Sequence, residues 1–222
     1  MKKMTILIGS LLLLGASTFA QAVRDRNVIP LAVNLNEVLR MTITDGGNIE
    51  FTFNSIDDYR FGISGDAATS GSANPNTSDP MYVSNFTIAS STRWELSYGA
   101  EEATFIGTDN PANTLTLDNV GFSLTSNGTH AFGTEITSAP TVDGAQVSAL
   151  EQFPVVLITD NGNIASSAGD VTDNDFTITW RCGTAEVGAA PATMNPTVLL
   201  EQNPSPTPDR YIVNVLFELA SL

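Results

Sequence analysis

Three carboxylates crowd together in "GDVTDNDF", where Asp170, Asp173 and Asp175 alternate with threonine and asparagine. Such a cluster offers the hard oxygen ligands that calcium takes, about six to eight of them in a full shell. The same residue types also make solvated turns, because Asp and Asn side chains bond their own backbone. Asp45-Gly46-Gly47-Asn48 and Asp160-Asn161-Gly162-Asn163 raise the same choice, each following an alternating apolar run. Neither has the D-x-[DN]-x-[DN]-G spacing with a distant acid that defines a calcium loop, so both read as hairpin turns. Calcium is therefore a candidate only at Asp170, Asp173 and Asp175, beside the simpler reading of a solvated loop, and no other cofactor is implied.

Nucleophilic chemistry finds little to work with. His130 is the only histidine and Cys182 the only cysteine, in unrelated segments. Neither G-x-S-x-G nor a glycine-rich phosphate loop occurs, and a nucleophile without a positioned base is inert. The lysines are Lys2 and Lys3 alone, which leaves no Schiff-base candidate further along the chain. We expect a non-enzymatic protein in which Cys182 is a half-buried thiol at a strand end. A lone cysteine also excludes an internal disulfide, so the fold must rest on its core.

The aromatic residues offer another function. Trp94 and Tyr98, with Tyr82, could stack against a sugar if their rings faced solvent. Trp94 and Tyr98, however, are in phase with Leu96, as Trp180 is with Ile178, and residues two apart share one face of a strand. Core packing is the competing expectation.

The elements that would position these residues are strands. Period-two runs occur at Ile29-Leu31-Val33-Leu35, Met41-Ile43, Ile49-Phe51-Phe53, Trp94-Leu96-Tyr98, Leu115-Leu117, Phe122-Leu124, Phe176-Ile178-Trp180 and Tyr211-Val213-Val215-Phe217-Leu219. "MYVSNFTIA" and "FPVVLIT" read as more deeply buried strands. No sustained helical stripe interrupts them. This pattern predicts an all-β fold, an antiparallel sandwich of immunoglobulin-like or jelly-roll-like type, with polar loops at 65–80, 166–173 and 183–196.

Lys2 and Lys3 precede the apolar "MTILIGSLLLLGA" and the small-residue site Ala20-Gln21-Ala22, the pattern of a secretory signal peptide spanning 1–22. Residues 23–222 would then form one sandwich domain, secreted and placed outside the cell or at a bacterial surface. Loss of both lysines takes the formal charge, −15 for the whole chain, two units further negative. Such acidity argues against nucleic acid as a partner, and no later segment reaches the roughly 20 apolar residues of a membrane helix.

Three stretches carry a family likeness: "FNSIDDYRFGI"; "YVSNFTIASSTRWELSYGAEEATF", with Trp94-Glu95-Leu96 inside it; and the closing "PDRYIVNVLFELA". Together they resemble the secreted β-sandwich proteins of bacterial surfaces related to WxL-type domains and fimbrial subunits, as found in Bacteroidota. The resemblance implies a surface protein that contacts its own kind or other surface proteins. One departure is visible, since the second tryptophan stands in Trp180-Arg181-Cys182 where a WxL domain has a second W-x-L.

Two functions follow. In the first, the chain is a structural subunit of a filament or surface layer that assembles by strand addition. Ile29, Leu31, Val33 and Leu35, within segment 28–36, would enter a neighbour's sheet, or the terminal run Tyr211, Val213, Val215 and Phe217 would. In the second, it is a monomeric adhesion module that binds glycans through Trp94, Tyr98, Tyr82 or the loop at 170–175.

Overall fold

Alternating stretches such as Phe86-Thr87-Ile88 and Trp94-Glu95-Leu96 put large apolar side chains on one face of an extended backbone, and in the computed structural model they form strands of two facing sheets. The structure describes residues 29–64, 82–138, 147–162, 166–186 and 193–222. The expected signal peptide and the loop at 65–80 lie outside the described residues, as does part of the loop at 183–196. The chain divides into a part ending at Leu35 and a compact part from Asn36 to Leu222.

Thirteen strands occur among the described residues. They are β1 (Leu39–Asp45), β2 (Ile63–Ser64), β3 (Val83–Ser90), β4 (Trp94–Ala100), β5 (Thr104–Gly107), β6 (Thr114–Thr116) and β7 (Val120–Ser126). There follow β8 (Ile136–Ser138), β9 (Ser148–Ala149), β10 (Val155–Asp160), β11 (Asp175–Cys182), β12 (Tyr211–Ile212) and β13 (Val215–Ser221). One sheet runs β1-β3-β11-β7-β9, with β2 beside the end of β11. The second runs β13-β4-β10-β8, and β12-β5-β6 make a small third sheet. All the pairings between strands are antiparallel, as an all-β sandwich requires.

Aromatic rings tie the two sheets together. Trp94 meets Phe176 edge-on at 6.1 Å between centroids, Tyr98 meets Phe122 at 5.0 Å, and Phe217 meets Phe86 at 6.1 Å. Such pairs add about 0.5–1.5 kcal/mol beyond the area they bury. A second apolar cluster, Val147, Ala149 and Met194, forms apart from this core. The buried Arg181 guanidinium bonds both Glu186 oxygens at 2.7 and 2.8 Å.

The connections differ from the hairpins expected at the two Asp-Gly stretches. Gly46 does turn the chain at φ 66°, with its amide on the Asp45 carboxylate at 2.8 Å. A Cβ at Gly46 would lie 1.9 Å from the Val83 carbonyl oxygen, so only glycine fits. Yet residues 46–55 form no strand, and Ile49, Phe51 and Phe53 pack against the core without a ladder. At the second copy β10 ends and the chain crosses to β11 in the other sheet. The same switch occurs from β3 to β4, β7 to β8, β8 to β9 and β9 to β10. Turn chemistry marks where the chain bends, and sheet twist and packing decide which sheet it enters next.

One short helix, α1 (Ile56–Phe61), departs from the strand-only expectation. Ser55 begins it with a reciprocal cap: its hydroxyl accepts the Asp58 amide at 3.2 Å, and Asp58 accepts the Ser55 amide at 2.8 Å. This capping box satisfies two amides that a helix start leaves unpaired.

Candidate interaction surface

The aspartate-rich loop is fastened to the core. Ser167 receives the Trp94 indole N–H on its carbonyl at 2.6 Å and the Asn174 amide on the same oxygen at 3.2 Å. Asn174 is fully buried and meets His130 Nδ1 at 3.0 Å. Asp170 accepts the Thr172 amide and hydroxyl at 2.7 and 2.6 Å, and Asp173 accepts the Thr129 hydroxyl at 2.5 Å. These bonds, the Thr172 and Thr129 hydroxyls first, hold both carboxyls below their ordinary pKa. Asp175 begins β11, opposite Thr87. No group of three or more His, Cys, Asp or Glu side chains able to hold a metal ion occurs among the described residues. Asp160, from the second Asp-Gly stretch, instead pairs with Arg93 at 2.7 Å.

The aromatic candidates are core residues, which corrects the reading of Trp94 and Tyr98 as ligand contacts. Both are fully buried, and Tyr82 is buried with its ring stacked on Phe51 at 4.6 Å. A sugar-stacking platform needs an open ring face, and their phase with Leu96 has turned these rings inward. Burial raises the Tyr98 phenol well above its usual pKa, and it pushes the Cys182 thiol up to about 12.

Burial is uneven across the sandwich. On β3 and β4 the inward side chains Ile88, Leu96, Tyr98 and Ala100 are wholly enclosed. Directly opposite Ile88 and Phe86, the β1 residues Met41 and Ile43 face the same core, yet Met41 is only half-buried and Ile43 is 50% exposed. The other sheet behaves alike: Val215, Phe217 and Leu219 oppose Ala100, Tyr98 and Leu96, and all three are half-buried. β1 and β13 are the outer strands of their sheets and touch one another. No described strand pairs with the outer side of either. The core therefore opens along a seam between two seven-residue edges.

Two bonds fix which ends of the seam coincide. The Ser91 amide donates to the Val38 carbonyl at 2.9 Å, and the Leu222 amide donates to the Arg93 carbonyl at 2.9 Å. Both bonds anchor on the turn between β3 and β4, so β1 starts where β13 ends. The two edges run antiparallel along the opening.

The expected terminal run is split: Tyr211 lies in β12 paired with β5, Val213 follows it, and Val215 and Phe217 lie in β13 paired with β4. The expected strand Ile29 to Leu35 is absent, since residues 29–38 carry no strand. Ile29, Leu31, Val33 and Leu35 are 74–91% exposed. Four branched apolar side chains at alternate positions are thus left in water with no ladder to hold them. Sequence alone named these four residues and β13 but missed Leu39, Met41 and Ile43 as the other wall. Their period-two signal marks a face, and only the sheet order reveals an uncovered one.

Comparison with protein-family models finds no match, and comparison with curated proteins finds none.

Proposed function

We propose that the chain is a non-enzymatic structural subunit of an extracellular bacterial filament or surface layer, which assembles by strand addition. One observation carries the reading: an alternating apolar segment, Ile29 to Leu35, stands exposed and outside any strand in a chain whose sandwich has edges that no described strand pairs. Exposed apolar surface rimmed by polar residues marks interaction sites. An extended segment added to a sheet edge gains main-chain hydrogen bonds along its length, and its alternate side chains fill pockets. The leader-like residues 1–22 and the strongly acidic composition support an extracellular setting. The glycan-binding alternative loses its aromatic platform with the burial of Trp94 and Tyr98.

The test is electron microscopy and sedimentation of the purified protein across concentrations, beside a variant lacking residues 29–35. Regular polymers from the first and folded monomers from the second are expected. Folded monomers from both at every concentration would overturn the reading, and so would polymers that form without the segment.

A further inference from the structure

The geometry points to β13 as the edge that receives residues 29–35 of a second copy, with Ile29, Leu31, Val33 and Leu35 closing the seam against β1. This deepens the strand-addition reading and rests on it. Both long edges flank the opening and each presents a charge outward, but only one is broken by a bulge, a feature by which proteins block stray pairing. β1 has a bulge between Ile43 and Asp45 and presents Arg40 outward. β13 also carries one outward charge, Glu218, but it has no bulge: its register with β4 is unbroken from Val215 to Ser221, and it contains no proline. A long, regular, apolar edge of that kind templates another strand.

The donor fits in length, spacing and charge. Ile29 to Leu35 spans roughly 20 Å at about 3.3 Å per residue, the length of β13. Its four side chains at alternate positions match the inward-facing Val215, Phe217 and Leu219 on one wall and Leu39, Met41 and Ile43 on the other. Residues 29–35 carry no charge, which removes the repulsion that a donor with this chain's net charge of −15 would meet.

Pro30 fits as well. In a strand, the N–H and C=O groups of alternate residues point to opposite sides. If residues 29, 31, 33 and 35 bond β13, the missing N–H of Pro30 lies on the side that needs no partner. The occupant is a second copy because in the chain that carries them these four side chains stand exposed.

Disulfide trapping tests this, since the only native thiol, Cys182, is buried and raised in pKa. One copy would carry Ala32→Cys, an outward position on the donor, and the other Leu216→Cys, Glu218→Cys or Ala220→Cys on the outward face of β13. Co-assembled and oxidised, one of the β13 positions is expected to give linked dimers, and Arg40→Cys or Thr42→Cys on β1 to give none.

Polymers whose Ala32→Cys links to β1, or to neither edge, would overturn the assignment of β13 and leave strand addition standing. Linkage only when both cysteines sit in one chain would show the segment folding onto its own edge, and would overturn the second copy as occupant. Polymers that persist without residues 29–35 would sink the assembly reading itself.

Discussion

Leu31→Ala separates the fold of one copy from its association with the next. Leu31 is 89% exposed, so truncating it removes almost no buried surface from the chain itself. The expected change in unfolding free energy is within about 0.5 kcal/mol. In the seam of a neighbour the same truncation loses up to about 2 kcal/mol of apolar burial, which is roughly a 30-fold rise in the critical concentration for assembly. The matched control is Leu96→Ala in β4, where the side chain is fully buried and the expected cost is about 2–5 kcal/mol of stability. Urea unfolding of dilute protein measures the first quantity, and sedimentation over a concentration series the second. A Leu31→Ala monomer destabilised by more than about 1 kcal/mol would show the segment packing in its own chain, and an unchanged critical concentration would show that Leu31 has no place at the contact; either refutes the reasoning.

Three further outcomes are expected. Cys182 should resist thiol reagents in the native protein and react at once in denaturant, and rapid labelling without denaturant would contradict its burial. Glu186→Ala removes the carboxylate that accepts two bonds from the buried Arg181 and should cost about 3–5 kcal/mol, read by urea unfolding; a loss under about 1 kcal/mol would mean that the site admits water. Asp170, Asp173 and Asp209 have folded pKa values held below the ordinary 3.8, chiefly by the Thr172 hydroxyl, the Thr129 hydroxyl and the Asp109 amide. The stability they contribute is therefore present above that value and lost as pH falls through the lower folded ones. Asp173→Asn should flatten the acid limb of melting temperature below pH ~4, and identical slopes in both proteins would refute that role.

The class of fold was legible because period-two alternation is a local property. Trp94, Leu96 and Tyr98 share a face whatever strand lies beside them, and all three are buried. Pairing is not local, which is why Gly46 turned the chain as expected without closing a hairpin. Ile49, Phe51 and Phe53 show the limit best: their alternation points them at the core, but no described strand forms a ladder with them. α1 carried a readable S-x-x-D cap at Ser55 and Asp58, though its six residues are too few to show an apolar stripe. The loop at 170–175 offered metal-like chemistry in sequence, but its carboxylates are taken by hydroxyls, Thr172 within the loop and Thr129 from far along the chain, and its Asn174 meets the equally distant His130.

The segment 29–35 belongs to a different kind of case. Its pattern is as regular as that of β13, and it contains the same kinds of side chain, yet one is a strand and the other is not. Propensity and alternation therefore do not separate them; a partner does. β13 has β4 alongside for its whole length, whereas the complement of the segment is an edge whose core-facing side chains are also half uncovered. The two deficits have the same size and chemistry: seven residues of edge with inward apolar side chains, and seven residues of extended chain with four apolar side chains to place. Either alone is a liability in water, because exposed edges and exposed apolar rows both promote unspecific association. Together on one chain they are complementary, and the bulge that interrupts β1, set against the unbroken register of β13, gives the proposed association a direction.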